Sequence, residues 1–326
     1  MFEALKNIDE VRLNFSPEGL LFMNITLAFI MFGVALEIKT DNFKNIFYNP
    51  KSAILGVISQ VLILPGLTFL LIMIINPPAS IAMGMILIAA CPGGNISNFI
   101  SALARGNIAL SVSLTAFATI TATLITPANF AFWGGMYARY YQNINHLNIP
   151  IEIDFLQMTQ TVFLLLGLPL ILGMWFSHKF PNTTKRILKK VKISSIVVYM
   201  IFIVGAIYAN LEFIPTYVLP IAVFTLFLNT QTLLTGFFVA TVAKVSRQDR
   251  RTISIETGIQ NSGLALVLIF NPKLFNGNGG MAFMAAWWGI WQMISGIGLA
   301  LILSRIKLPK LLTAKETLPK TKNLKK

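Results

Sequence analysis

Nine separated apolar runs, each about 20 residues long, are the feature that most restricts what this chain can fold into. They lie near 19–38, 51–75, 80–104, 107–130, 157–177, 193–212, 216–243, 251–271 and 281–304. Only 12% of the residues are charged, about half the share of an ordinary soluble domain, so these runs belong in a bilayer. Within lipid each run must satisfy its own backbone polar groups, and all nine are expected to be α-helices. The expected fold is an all-α polytopic membrane protein with nine transmembrane helices, a single transmembrane domain over 19–304 and no separate soluble domain.

Charge placement gives the expected orientation. With the N-terminus outside, the inward connections hold Lys39, Lys44 and Lys51, then Arg105, then six basic residues from Lys179 to Lys192, then Lys244, Arg247, Arg250 and Arg251, and eight more from Arg305 to Lys326. That is 22 of the 26 basic residues, the asymmetry of the positive-inside rule. The net charge of +14 is therefore an orientation signal and not a nucleic-acid footprint. The basic loops and the cytoplasmic tail 305–326 are free to touch anionic lipid headgroups. Residues 1–18 carry Glu3, Asp9, Glu10 and Glu18 against Lys6 and Arg12, unlike the basic start of a cleaved signal peptide. They read as a solvated outer leader, or as an amphipathic interfacial helix. The outward connection near 131–156 carries Trp133, Tyr137, Tyr140 and Tyr141, which read as an interfacial belt.

Two runs depart from plain helix. In SIAMGMILIAACPGGNISNFISALAR, Pro92, Gly93 and Gly94 fall at the midpoint, where Pro removes a donor and the glycines relax the backbone. In SIETGIQNSGLALVLIF, Gly258 and Gly263 bracket the polar run Gln260, Asn261, Ser262. The connection near 131–156 splits the chain into four runs and then five, and each broken run is next to last in its half. One enters from outside and the other from inside. Broken helices at matching positions of inverted halves point to a secondary transporter with its site at mid-membrane, where the breaks cross.

The residues around the breaks narrow the chemistry. Ser97 and Asn98 lie eight or nine residues before the turn at Gly106, and Ser111 and Thr115 five to nine after it. At ~1.5 Å per residue the four share one depth. Neutral oxygens with one carboxylate, Glu256, suit a hard monovalent cation: softer metals ask for imidazole or thiolate, and a divalent ion for more carboxylates. Gln260, one turn beyond Glu256, and Gln60 in SAILGVISQVLILPGL offer material for a second site. His146 and His178 sit at or beyond span ends, which makes them poor ligands. The single cysteine, Cys91, excludes an intramolecular disulfide and reads as a packing residue. An intramembrane hydrolase would need an activated nucleophile or a second acid, and neither stands at mid-depth. Proton coupling through Glu256, uncoupled anion or oxyanion export, and an anion sensor remain open on these residues.

The segments CPGGNISN, ARGNIALSVSLT and ETGIQNSGLA, in this order, closely resemble the signature segments of the bile acid:sodium symporter family, and IMFGVALEIK is similar too. The resemblance is to the nine-span form, and it implies a bacterial inner-membrane protein with its C-terminus in the cytoplasm. It also implies a panel of the first, fifth and sixth spans, a core of the others, two crossed discontinuous helices and two sodium ions. Carried over by motif, one sodium would meet Ser97, Asn98, Ser111, Thr115 and Glu256. The other would meet Gln60, Glu256, Gln260 and the carbonyls of Thr257 and Ile259. Asn95 and Asn261 would face a substrate, an organic anion such as a bile acid, a sulfated steroid, pantoate or a 2-keto acid. Half-helix N-termini favour an anion on physical grounds as well.

Overall fold

The computed structural model describes residues 5, 7–13, 17–38, 50–145, 154–209 and 211–305. Its helices are α1 (Pro17–Ala35), α2 (Pro50–Ile75), α3 (Ala79–Ala90), α4 (Ile96–Leu103), α5 (Ile108–Asn145), α6 (Phe155–Lys179), α7 (Pro181–Ala209), α8 (Ile214–Val242), α9 (Arg247–Gly258), α10 (Ser262–Phe270) and α11 (Gly279–Arg305). Six stretches are long and apolar enough to cross a membrane: those in α1, α2, α5, α6, α8 and α11. Among the described residues there is no β-strand, only two isolated bridges.

Local sequence explains the irregular turns. Both α2 and α6 widen into a π-turn, at Ser59–Ile63 and Phe163–Gly167, just before Pro65 and Pro169. A proline cannot donate to the carbonyl four residues back, so Pro65 leaves that of Val61 without its helical partner. The side chain of Asn129 supplies one, with Nδ2 donating to Val61 O at 2.9 Å.

The core forms around α3, all twelve residues of which are buried. Ile86 and Leu87 of α3, Leu268 of α10 and Trp288 of α11 are each at most 1% exposed. By contrast α1, α2 and α6 turn large side chains outward, among them Leu21, Ile25, Leu62, Ile74 and Leu164, each at least 58% exposed, the pattern of a lipid-facing surface.

Two expectations change at the face expected to be outward. The connection near 131–156 was expected to leave the helix after residue 130, yet α5 runs on to Asn145, 38 residues in all. At ~1.5 Å per residue that is roughly 57 Å, well beyond a hydrocarbon core of about 30 Å. Packing sustains it: Trp133 lies 5.6 Å from Phe69, centroid to centroid, and Tyr137 is only 2% exposed, while Tyr140 faces outward. The leader is not solvated either, where it is described. Leu5 and Ile8 are at most 2% exposed, and the strand-like piece after them exchanges Leu13 N–H to Gly277 O at 3.0 Å and Gly279 N–H to Val11 O at 2.8 Å. Asp9 accepts from Ser80 N–H at 2.8 Å, capping the first turn of α3. The leader thus straps the N-terminal ends of α3 and α11. His146, Lys39, Lys44 and the tail 306–326 lie outside the described residues.

Candidate metal centre at a helix crossing

The two interrupted helices meet at their breaks. After α3, Cys91 is extended and Pro92 has no N–H to continue the ladder; after α9, Ile259 is extended and α10 starts afresh at Ser262. The unwound backbones then pair with each other. Gly94 N–H donates to Ile259 O at 2.9 Å, and Asn261 N–H to Pro92 O at 2.8 Å, around an antiparallel Gly93–Gln260 bridge. Each break thereby satisfies polar groups that the other exposes, as a low-dielectric surrounding requires. A Cβ on Gly94 would sit 3.1 Å from Gln260 O, so the backbones pass too closely for a side chain there.

Beside the crossing, α4, the first turns of α5 and the last turn of α9 converge on Glu256, which is 0% exposed. Its Oε1 accepts from Ser97 Oγ at 2.7 Å and from Ser111 Oγ, and its Oε2 accepts from Thr115 Oγ1 at 3.0 Å. Asn98 Oδ1 stands 2.9 Å from Ser111 Oγ and 3.3 Å from Thr115 Oγ1. Three hydroxyl protons therefore face three acceptor oxygens and one another's lone pairs, and no cationic side chain enters. The set has more oxygen lone pairs than protons to share, which is the donor set a hard monovalent cation takes. Ser97, Asn98, Ser111, Thr115 and Glu256, separated by up to 159 positions, are all brought together.

The second set is looser. Gln260 is 1% exposed and donates Nε2 to Thr257 O at 2.9 Å, leaving Oε1 without a partner. Gln60 is 7% exposed and its Nε2 is likewise unpaired. Gln60 and Glu256 approach Gly93: a Cβ there would lie 3.4 Å from Glu256 Oε2 and 3.5 Å from Gln60 Nε2. Ile259 O already accepts from Gly94, so of the expected ligands it is the least free. Either end of an amide can be turned inward, so Gln60 and Gln260 fit an acceptor role toward a cation as readily as a donor role toward water.

Asn261 and Asn95 begin α10 and α4, but they are used differently. Asn261 Oδ1 caps α10 by accepting from Leu264 N–H at 3.0 Å, whereas Asn95 makes no cap bond. Three supporting residues were not anticipated. Gln292 Oε1 accepts Gln260 N–H at 2.8 Å, Asn229 Nδ2 donates to Gly258 O at 3.2 Å, and Ser59 Oγ pairs with Thr257 Oγ1 at 2.9 Å. Each is a polar residue at the middle of an apolar run, the signal that had singled out Gln60. His178 is exposed in the last turn of α6, far from this cluster in the chain's order of elements. Among the described residues no group of three His, Cys, Asp or Glu side chains could hold a metal.

An all-helical, multi-pass bundle with a caged carboxylate where two interrupted helices cross defines a membrane protein of the transporter class. The sequence model of the Sodium Bile acid symporter family matches residues 24–217, and the chain belongs to that family. It is 30% identical over 282 residues, 86% of this chain, to a Bacillus subtilis protein named sodium-dependent transporter YocS, of which it covers 82%. A rice chloroplast protein carrying the name sodium/metabolite cotransporter BASS2 is 28% identical over 75% of this chain, and mouse sodium/bile acid cotransporter 4 is 27% identical over 77%. The chain spans 55% and 57% of those two longer relatives. The family is one of sodium-dependent transporters, not of enzymes.

Proposed function

We propose that this protein is a secondary active transporter that couples sodium to symport of an organic anion by alternating access. One observation carries the reading: four oxygen-bearing side chains from two helices gather around the fully buried carboxylate of a third at the helix crossing. In this reading Ser97, Asn98, Ser111, Thr115 and Glu256 hold one sodium ion. Gln60, Glu256, Gln260 and the carbonyls of Thr257 and Ile259 hold another. Two cations beside one carboxylate leave an excess positive charge, to which the N-terminal ends of α4 and α10 add. An anion is the complement, and in this reading Asn95 and the amide of Asn261 receive it. Its class is bile-acid-like or a small carboxylate such as pantoate or a 2-keto acid.

The same reading assigns nine crossings: the six continuous helices, α7, and the pairs α3–α4 and α9–α10. Two inverted halves are supported by a detail of the turns. Among the described residues the four non-glycine positions with positive φ, Asn76, Arg105, Lys244 and Asn276, fall at the two ends of the two broken helices. In each half the broken helix is entered and left through a left-handed residue placed two positions before the next helix cap. The panel would comprise α1, α6 and α7, and the core the remaining helices, with the N-terminus outside and the protein in the plasma membrane.

Uptake into proteoliposomes tests the coupling. Labelled carboxylates and bile acids should accumulate with a sodium gradient and stay at the diffusive rate with choline outside. Equal rates with the two cations would refute sodium coupling, and uptake driven by a pH gradient alone would favour proton symport.

A further inference from the structure

A small pocket lies between the π-turn of α2, the end of α3 and the middle of α5, away from the hydroxyl cluster. Its walls include Gln60, Ala90, Cys91, Pro92, Thr126 and Asn129, and this partly open pocket offers about 20 Å³. That is the room one water-sized occupant needs; no bile acid or other organic anion fits.

Its polar groups are unusually unsatisfied. Thr126 is 1% exposed and its Oγ1 has no partner, and neither has Gln60 Nε2. Other threonines of α5 bond back to their own helix, Thr119 to Thr115 O at 2.7 Å and Thr121 to Phe117 O at 2.8 Å. Thr126 does not follow them. The pocket also adjoins the C-terminal end of α3. Cys91 N–H closes on the carbonyls of Leu87 and Ile88, but Gly94 directs its N–H to Ile259 rather than back to Ala90 and Pro92 has none to give, so the negative end of this helix, with Ala90 in the pocket wall, borders the pocket. At the equivalent end of α9 the Gly258 carbonyl accepts from Asn229, and Leu233 packs against Gly258. Only the end of α9 receives a side-chain donor, and the sign of the α3 end disfavours an anion.

We propose that this pocket is a third cation position, a one-ion antechamber through which sodium reaches the crossing. The proposal rests on the sodium reading above. Gln60 joins the two places: it walls the pocket, and its amide reaches the Gly93 corner that Glu256 Oε2 also approaches. An ion resting beside Thr126 exchanges water oxygens for protein oxygens one step before it meets the carboxylate.

The test separates rate from affinity. Sodium-induced change in tryptophan fluorescence is followed by stopped flow on the purified full chain, with equilibrium binding of radioactive sodium measured alongside. Thr126→Val, which keeps the shape and removes the hydroxyl, should slow both association and dissociation of sodium about three- to tenfold, the loss of one modest polar contact. The equilibrium affinity should stay unchanged, and Thr126→Ser should restore the rates. Unchanged rates in Thr126→Val would mean the pocket holds only water. A shift in affinity without a shift in rates, or a Thr126→Ser variant as slow as Thr126→Val, would also overturn the proposal. A wild-type chain that binds no sodium would fail the transport reading itself, whereas sodium binding by the wild type with an indifferent Thr126→Val would fail the antechamber alone.

Discussion

At the break between α9 and α10, the carbonyl of Gly258 accepts from Asn229 and the new helix is capped by Asn261. At the break between α3 and α4, the end of α3 receives no such side chain, and Asn95 leaves α4 uncapped. The first of these two breaks also carries the carboxylate, and the second carries none. One break is therefore fixed by side chains, its own Asn261 and Asn229 of α8, while the other is held chiefly by backbone bonds to its partner. The difference teaches where such a site can move. A segment whose order comes from a neighbour changes with that neighbour, so the α3–α4 break is the one whose geometry an ion at Glu256, through Ser97 and Asn98, is best placed to alter.

The largest expected effect comes from removing the charge on which the comparison turns. Glu256→Ala should abolish sodium-dependent uptake and any sodium-induced rise in melting temperature while the protein still inserts; full uptake would break the assignment. Next, Asn229→Leu should leave the Gly258 carbonyl buried without its donor and cost about 1–3 kcal/mol, read as a lower melting temperature in sodium-free detergent. If the melting temperature is unchanged, the α9–α10 break is not side-chain-fixed. The smallest effect is a contrast. Asn261→Ala should cost about 1 kcal/mol through the lost cap, whereas Asn95→Ala should leave thermal stability alone and weaken only the substrate's stabilising effect. Equal destabilisation by the two would erase the asymmetry.

Much of the hydroxyl cluster around Glu256 was legible in the sequence. Pro92 and the paired glycines announce a break because their backbone chemistry permits little else, and Ser97, Asn98, Ser111 and Thr115 share a depth because a helical hairpin counts residues equally on both arms. Asn229, Gln292 and Thr126 were passed over. Each is one polar residue in an apolar run, and a lone Thr or Asn in a membrane helix usually bonds locally; only the packing reveals that Thr126 does not. The segment after residue 130 misled for a related reason. Its glycines and aromatics look like a loop at an interface, but a helix continues through such residues when another surface covers them, as Phe69 covers Trp133.

By itself the sequence determined that this chain is a helical membrane protein, that two of its helices must break, and that one carboxylate is available at mid-depth. Those properties follow from hydropathy, proline and glycine, which act over a few residues. Tertiary structure alone decided that the two breaks hydrogen-bond each other, that Glu256 rather than water receives the hydroxyls of Ser97, Ser111 and Thr115, and that one helix end receives a side-chain donor while the other does not. Each of these joins positions far apart in the chain, and contact between such positions depends on how the helices pack.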